Sequence, residues 1–182
     1  MLGIWLQAIG FQLVWFAWAL GVPDDLLWPG AVVSVVFLLA HRLWQAHRRT
    51  DLHCVSVCLL FGILLDSVLM HWGWLSFAQL NPAPWEVLQP WWMGLLWACL
   101  GCTIHHSLAW LKGRLALSLS LSALAGVLSY AAAHRMGALE LTQFGPACIA
   151  LGLFWGLFIP LLQTLPRARK AASMGESTVN RA

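Results

Sequence analysis

Charge is scarce in this sequence. Of its 182 residues 9% are Asp, Glu, Lys or Arg, seven acids and ten bases, where an average globular chain carries about 25%. So few charges cannot cover the surface of a water-soluble protein of this length. That excludes a soluble enzyme, a disordered chain and a nucleic-acid-binding module with a basic face. Catalytic signatures are lacking too. There is no Gly-rich phosphate loop or nucleotide motif, and no Ser-His-Asp set can be assembled at one depth. The five cysteines form no disulfide framework. No catalytic motif and no cofactor are therefore expected, and whether the chain is an enzyme stays open.

What is abundant is apolar side chain, 60% of the total. A bilayer core needs roughly 20 apolar residues per helix. Six stretches qualify: Gly3 to Gly21, Leu26 to Trp44, Leu52 to Trp72, Pro90 to Leu111, Leu115 to Ala133 and Phe144 to Leu165. Runs of this length without alternation predict helices, because only helices and closed barrels satisfy the backbone in lipid. Pro29 and Pro146 suit first-turn positions, whereas Pro160 predicts a kink inside the last span. The fold class expected is an all-α integral membrane protein of six transmembrane helices. Residues 1–165 form one polytopic domain and 166–182 a disordered, basic and polar cytoplasmic tail.

Basic residues set the orientation. Arg42, Arg48 and Arg49 follow the second span, Lys112 and Arg114 the fourth, and Arg167, Arg169, Lys170 and Arg181 the sixth; Arg135 alone lies at the other end. Cytoplasmic loops carry the Lys and Arg excess, so both termini are expected in the cytoplasm. Ala17-Trp18-Ala19 resembles a signal-peptide cleavage site, but no base precedes the apolar run, and an uncleaved first helix is the better reading. Most of the thirteen tryptophans gather at or near the span ends, chiefly the outer ones, as an aromatic belt does. The almost uncharged loop from Ser76 to Gln89 is expected in the interface or capping the bundle.

Small residues four apart mark helix seams: Ser118, Ser122 and Gly126; Gly94, Ala98 and Cys102; Gly152 and Gly156. They serve contacts within one chain or between copies of an oligomer. Gly62-Ile63-Leu64 with Gly73 echoes Gly126-Val127-Leu128 with Gly137 at equal spacing, a faint sign of repeated two-helix hairpins.

Polar residues within the spans are the functional candidates. Asp66 is the one acid well inside a span, with Ser67 beside it, and such carboxyls usually face the bundle interior or water. Span five reaches the same depth at Ser129 and Tyr130, with Arg135 just beyond. An Asp66–Tyr130–Arg135 cluster is therefore expected, either as a ligand site open to the outer leaflet or as a latch between two helices. Its tryptophan surroundings would suit a cationic or headgroup-like ligand. Deeper, Cys99, Cys102 and His106 fall on one face of a helical span four, with His53, Cys54 and Cys58 at the inner half of span three. Thiolate and imidazole suit zinc, copper or haem, but the spacing matches no zinc motif and buried cysteine often acts as a small hydrophobe. Polar packing is the expectation there, and no metal.

Several of these residues also carry a resemblance. Phe11-Gln12-Leu13-Val14-Trp15-Phe16, Gly62 with Asp66-Ser67 and Gly73, Leu96-Trp97, His106-Ser107-Leu108-Ala109-Trp110-Leu111, and Leu128-Ser129-Tyr130 with Arg135 and Gly137-Ala138 together resemble a bacterial inner-membrane family known as domain of unknown function 2878. The sequence departs from that family's usual pattern at Val127, where Pro is frequent, and at Ala133, where Gly is. The resemblance implies a setting near lipid modification or envelope stress, because members are often encoded beside cyclopropane-fatty-acid-synthase-like proteins. It supplies no reaction. The function expected is an inner-membrane protein that binds a lipid-like or amphipathic ligand, or assists a lipid-modifying partner, through an outer-leaflet site. Its partners would be membrane lipids or a membrane protein, and no nucleic acid. The alternatives are a proton-coupled small-molecule transporter, a membrane enzyme and a structural or assembly subunit.

Overall fold

A computed structural model describes residues 2–44 and 48–165. The tail expected from 166 onward lies outside the described residues. Six α-helices carry the architecture of the described residues: α1 (Leu2–Gly21), α2 (Trp28–Trp44), α3 (Arg48–His71), α4 (Trp91–Thr103), α5 (Leu115–Arg135) and α6 (Phe144–Thr164). Four helical segments, Gly3–Asp24, Asp51–His71, Leu115–Arg135 and Phe144–Thr164, are long and apolar enough to cross a membrane; α2 and α4 are apolar but shorter. Apolar side chains point outward in rows. Ile149, Leu153, Leu157 and Leu161 recur one turn apart on α6 and stay more than 60% exposed, which is a helix face suited to lipid.

Consecutive helices pair as hairpins, α1 with α2, α3 with α4 and α5 with α6. One end of the bundle holds Lys112 and Arg114 and is called the basic end below. At the other end two short strands, β1 (Ser76–Phe77) and β2 (Leu139–Glu140), pair antiparallel, Ser76 with Glu140 and Phe77 with Leu139. The Thr142 hydroxyl adds a hydrogen bond to the Gly73 carbonyl. Gly73 and Gly137 each end their helix at positive φ, +67° and +83°, the left-handed conformation that glycine adopts without strain.

The faint repeat in the sequence has a structural counterpart. A Cβ on Gly62 would sit 2.2 Å from the ring of Trp97, and one on Gly126 would sit 2.2 Å from the ring of Trp155. Each hairpin thus seats an indole from its second helix on a bare glycine of its first. The two indoles then stack on each other, centroids 5.0 Å apart and planes 19° apart. One turn beyond each glycine stand Asp66 and Tyr130, which are hydrogen-bonded to each other. Strand pair, indole stack and Asp–Tyr bond all join equivalent places of the two hairpins. That is the contact pattern of a two-fold axis running along the bundle, as in parallel repeats. The first hairpin shares the feature more loosely, with Gly10 set against Phe37.

The seam residues of α5 and α6 meet within the chain. Ser118 and Ser122 are buried, Ser118 donates to Gln163 Oε1 at 3.3 Å, and Gly156 lies against Ala123 and the Leu119 carbonyl. The helix α6 runs on through Pro160 to Thr164. The fourth span differs from expectation. Instead of one helix from Pro90 to Leu111, α4 stops at Thr103 and the chain turns irregularly into a short 3-10 segment, Ala109–Leu111. The Thr103 hydroxyl bonds back to the Leu100 carbonyl at 2.7 Å, and the N–H groups of both His106 and Leu108 converge on the Thr103 carbonyl. Irregular backbone at membrane depth persists only where protein encloses it. Ile104, His105 and Ser107 are accordingly buried.

Candidate functional site

Asp66 sits mid-bundle on α3 and is fully buried. Its Oδ1 accepts the Tyr130 hydroxyl at 2.5 Å, and its Oδ2 accepts the Trp97 indole N–H at 2.8 Å. A third donor comes from the loop before α4. Gln89 turns in so that its backbone N–H donates to Ser67 Oγ at 2.9 Å. With its amide nitrogen facing the carboxylate, Gln89 also donates to Asp66 Oδ2 at 2.7 Å and to the Gly62 carbonyl at 3.2 Å; the opposite orientation sets oxygen against oxygen. Asp66 thus accepts from α4, α5 and a loop at once, which makes it a latch. Each such buried bond is worth about 0.5–1.5 kcal/mol net, and leaving a partner unsatisfied costs about 1–3 kcal/mol.

Of the residues expected in this cluster, Asp66, Ser67 and Tyr130 come together. Ser129 is near but bonds the Gly126 carbonyl of its own helix at 2.8 Å. Arg135 does not join: it is exposed in the last turn of α5, and among the described residues no ion pair links it to Asp66. A cation there complements the helix C-terminus instead. Trp97 and Gln89 are the partners the sequence reading missed. Trp97 has no signal beyond its depth, and Gln89 has none, since nothing in a loop sequence announces that it dips into a core.

The set Cys99, Cys102 and His106 is also not assembled, because the break after Thr103 takes His106 off the face of α4. Cys99 instead lies with its sulfur 3.9 Å from the Ser34 carbonyl. The Cys102 carbonyl accepts from Gln7. His106 turns to Asp51, at the first turn of α3, with Nε2 3.0 Å from Oδ1. His41, near the end of α2, approaches the same carboxylate. These three are the described residues whose donor atoms are grouped closely enough to hold a metal ion.

Beside the latch runs a cleft of about 960 Å³. Residues of α1 line it from Ile4 at the basic end to Ala19 at the strand end. The α5 wall carries Leu121, Ser122, Ala125, Leu128, Ser129, Tyr130 and Ala133. Tryptophans dominate the lining: Trp5, Trp15 and Trp18 from α1, Trp92 and Trp97 from α4, Trp110, and Trp155 from α6. The polar groups facing it are neutral: Gln12, Thr103, Ser107, Ser122, Ser129 and Tyr130. Asp66 itself is not on the wall. It stands behind Trp97 and Tyr130 and fixes both, so its influence on the cleft is exerted through them.

A protein-family model described as a protein of unknown function (DUF2878) matches residues 4–161, a stretch that reaches from the first turn of α1 to the last turn of α6. The chain belongs to that family. No curated protein and no solved structure matches it. The latch, the cleft and the two histidines are therefore read on their own chemistry.

Proposed function

We propose that the protein is a multi-pass protein of the bacterial inner membrane, with six spans and both termini cytoplasmic, that holds a lipid-like ligand in the cleft beside Tyr130. The observation that carries this reading is the cleft itself. Its volume falls at the upper end of the range for ligand sites, about 300–1,000 Å³. It extends along most of α1, its walls are aromatic and aliphatic, and the few polar groups on them are hydroxyls and one amide. Such a lining suits a long apolar chain with a small neutral polar part, and the ligand is held by its chain. A headgroup salt bridge is not needed, and Asp66 serves as the latch that keeps Trp97 and Tyr130 in the wall. The outward-facing apolar row on α6 supports the membrane setting, as does the gathering of Arg42, Lys112 and Arg114 at one end. A role beside a lipid-modifying partner, which the family resemblance implies, fits the same cleft.

Native mass spectrometry of gently extracted protein tests this. The expected result is one retained lipid or lipid-like molecule, enriched over bulk membrane composition. Replacing Ala125 on the cleft wall by Trp is expected to remove it while the protein stays folded. Retention of bulk lipid alone, or a complement unchanged in Ala125→Trp, would overturn the reading.

A further inference from the structure

We propose that His41, Asp51 and His106 form a binding site for one divalent transition-metal ion at the basic end of the bundle. The three side chains come from separate elements: the last turns of α2, the first turn of α3, and the irregular segment after α4. Their donor atoms all lie within 4.8 Å of one another. Asp51 Oδ1 is 3.0 Å from His106 Nε2, and Asp51 Oδ2 is 3.3 Å from His41 Nε2. A tetrahedral ion with bonds of about 2.0–2.1 Å spaces its ligand atoms roughly 3.3 Å apart, so the donors already stand near coordination distance from each other.

The second contact is the telling one. His41 Nε2 and Asp51 Oδ2 are both buried and face each other at 3.3 Å, so both imidazoles converge on one carboxylate. Two imidazoles turned on one largely buried carboxylate bring three ligand-type groups within reach of a single ion. The His41 and His106 rings stand at 83° to each other with centroids 5.1 Å apart, so both present Nε2 to the carboxylate without stacking.

Two imidazoles and one carboxylate suit a borderline ion such as zinc or ferrous iron and leave a coordination position open. Coordination through Nε2 leaves the His41 proton on Nδ1. The Gln7 amide nitrogen, now 2.8 Å from Nδ1, also donates to the Cys102 carbonyl at 2.9 Å, so on binding Gln7 keeps that bond and gives up its contact with His41. The site is separate from the ligand cleft, which none of the three residues lines.

Cobalt(II) is the probe, titrated into the full-length protein in detergent. One equivalent is expected, with visible ligand-field bands, no thiolate charge-transfer band, and displacement by zinc. Asp51→Asn and His106→Gln are each expected to lose that uptake, whereas Cys102→Ser keeps it and Asp51→Glu binds more weakly. Absence of stoichiometric uptake by the wild-type protein overturns the proposal whatever the variants do. Uptake undiminished in a folded Asp51→Asn protein, or a thiolate band that disappears in Cys102→Ser, also overturns it.

Discussion

At Asp66 a carboxyl group accepts three hydrogen bonds and, among the described residues, pairs with no cation, so its neighbours are as sensitive as the acid itself. Tyr130→Phe removes one donor and leaves a buried oxygen underpaired, with an expected loss of about 1–3 kcal/mol. Asp66→Asn is expected to be worse, because the new amide group points a donor at the donors of Tyr130 or Trp97. In the double variant the two losses should fall short of additivity, since both remove one bond. Denaturant unfolding of the detergent-solubilised protein checks this, and strictly additive losses would contradict the latch. The sequence made Asp66 and Tyr130 legible through depth alone, as the single acid well inside a span and a hydroxyl at matching height. It misplaced Arg135 because nearness along a helix end says nothing of direction. Gln89 was hidden because loops have no periodicity to betray a side chain that turns inward.

Helices obey a plainer arithmetic, and hence their seams can be tested by a single methyl group. Gly126→Ala places a Cβ 2.2 Å from the Trp155 ring, whereas Gly152→Ala meets Val127 at an ordinary 3.5 Å. The first is expected to destabilise by about 1–3 kcal/mol through overpacking, and the second to be near neutral. Thermal unfolding of the two variants side by side distinguishes them, and equal stabilities would refute the close glycine–indole fit. Runs of apolar residues foretold five of the six helices nearly to their ends. The sixth was misjudged because Thr103, His105, His106 and Ser107 sit in a hydrophobic stretch whose length still satisfies a span. Their side chains favour a turn that bulk hydropathy does not register. That break is also why His106 was assigned to the cysteines, when the chain in fact carries it to α2 and α3.

For the molecule as a whole, the succession of long apolar helices was readable, because the bilayer restricts the length of each run. The cleft was not, since it arises from how far hairpins stand apart, and no run of residues records that distance. The orientation proposed here predicts that a cysteine at Glu140 reacts with a membrane-impermeant maleimide applied from the periplasmic side, and one at Lys112 does not. The native thiols of Cys54, Cys58, Cys99 and Cys102 are buried, and the partly exposed Cys148 is replaced by Ser to keep the background low. Labelling in the reverse pattern would invert the topology. The stacked pair Trp97 and Trp155 has an optical consequence as well. Two indoles with centroids 5.0 Å apart and planes 19° apart are close enough to couple their excitation. Because each belongs to a different hairpin, the part of the circular dichroism that Trp155→Phe removes reports the docking of the two halves without any added label.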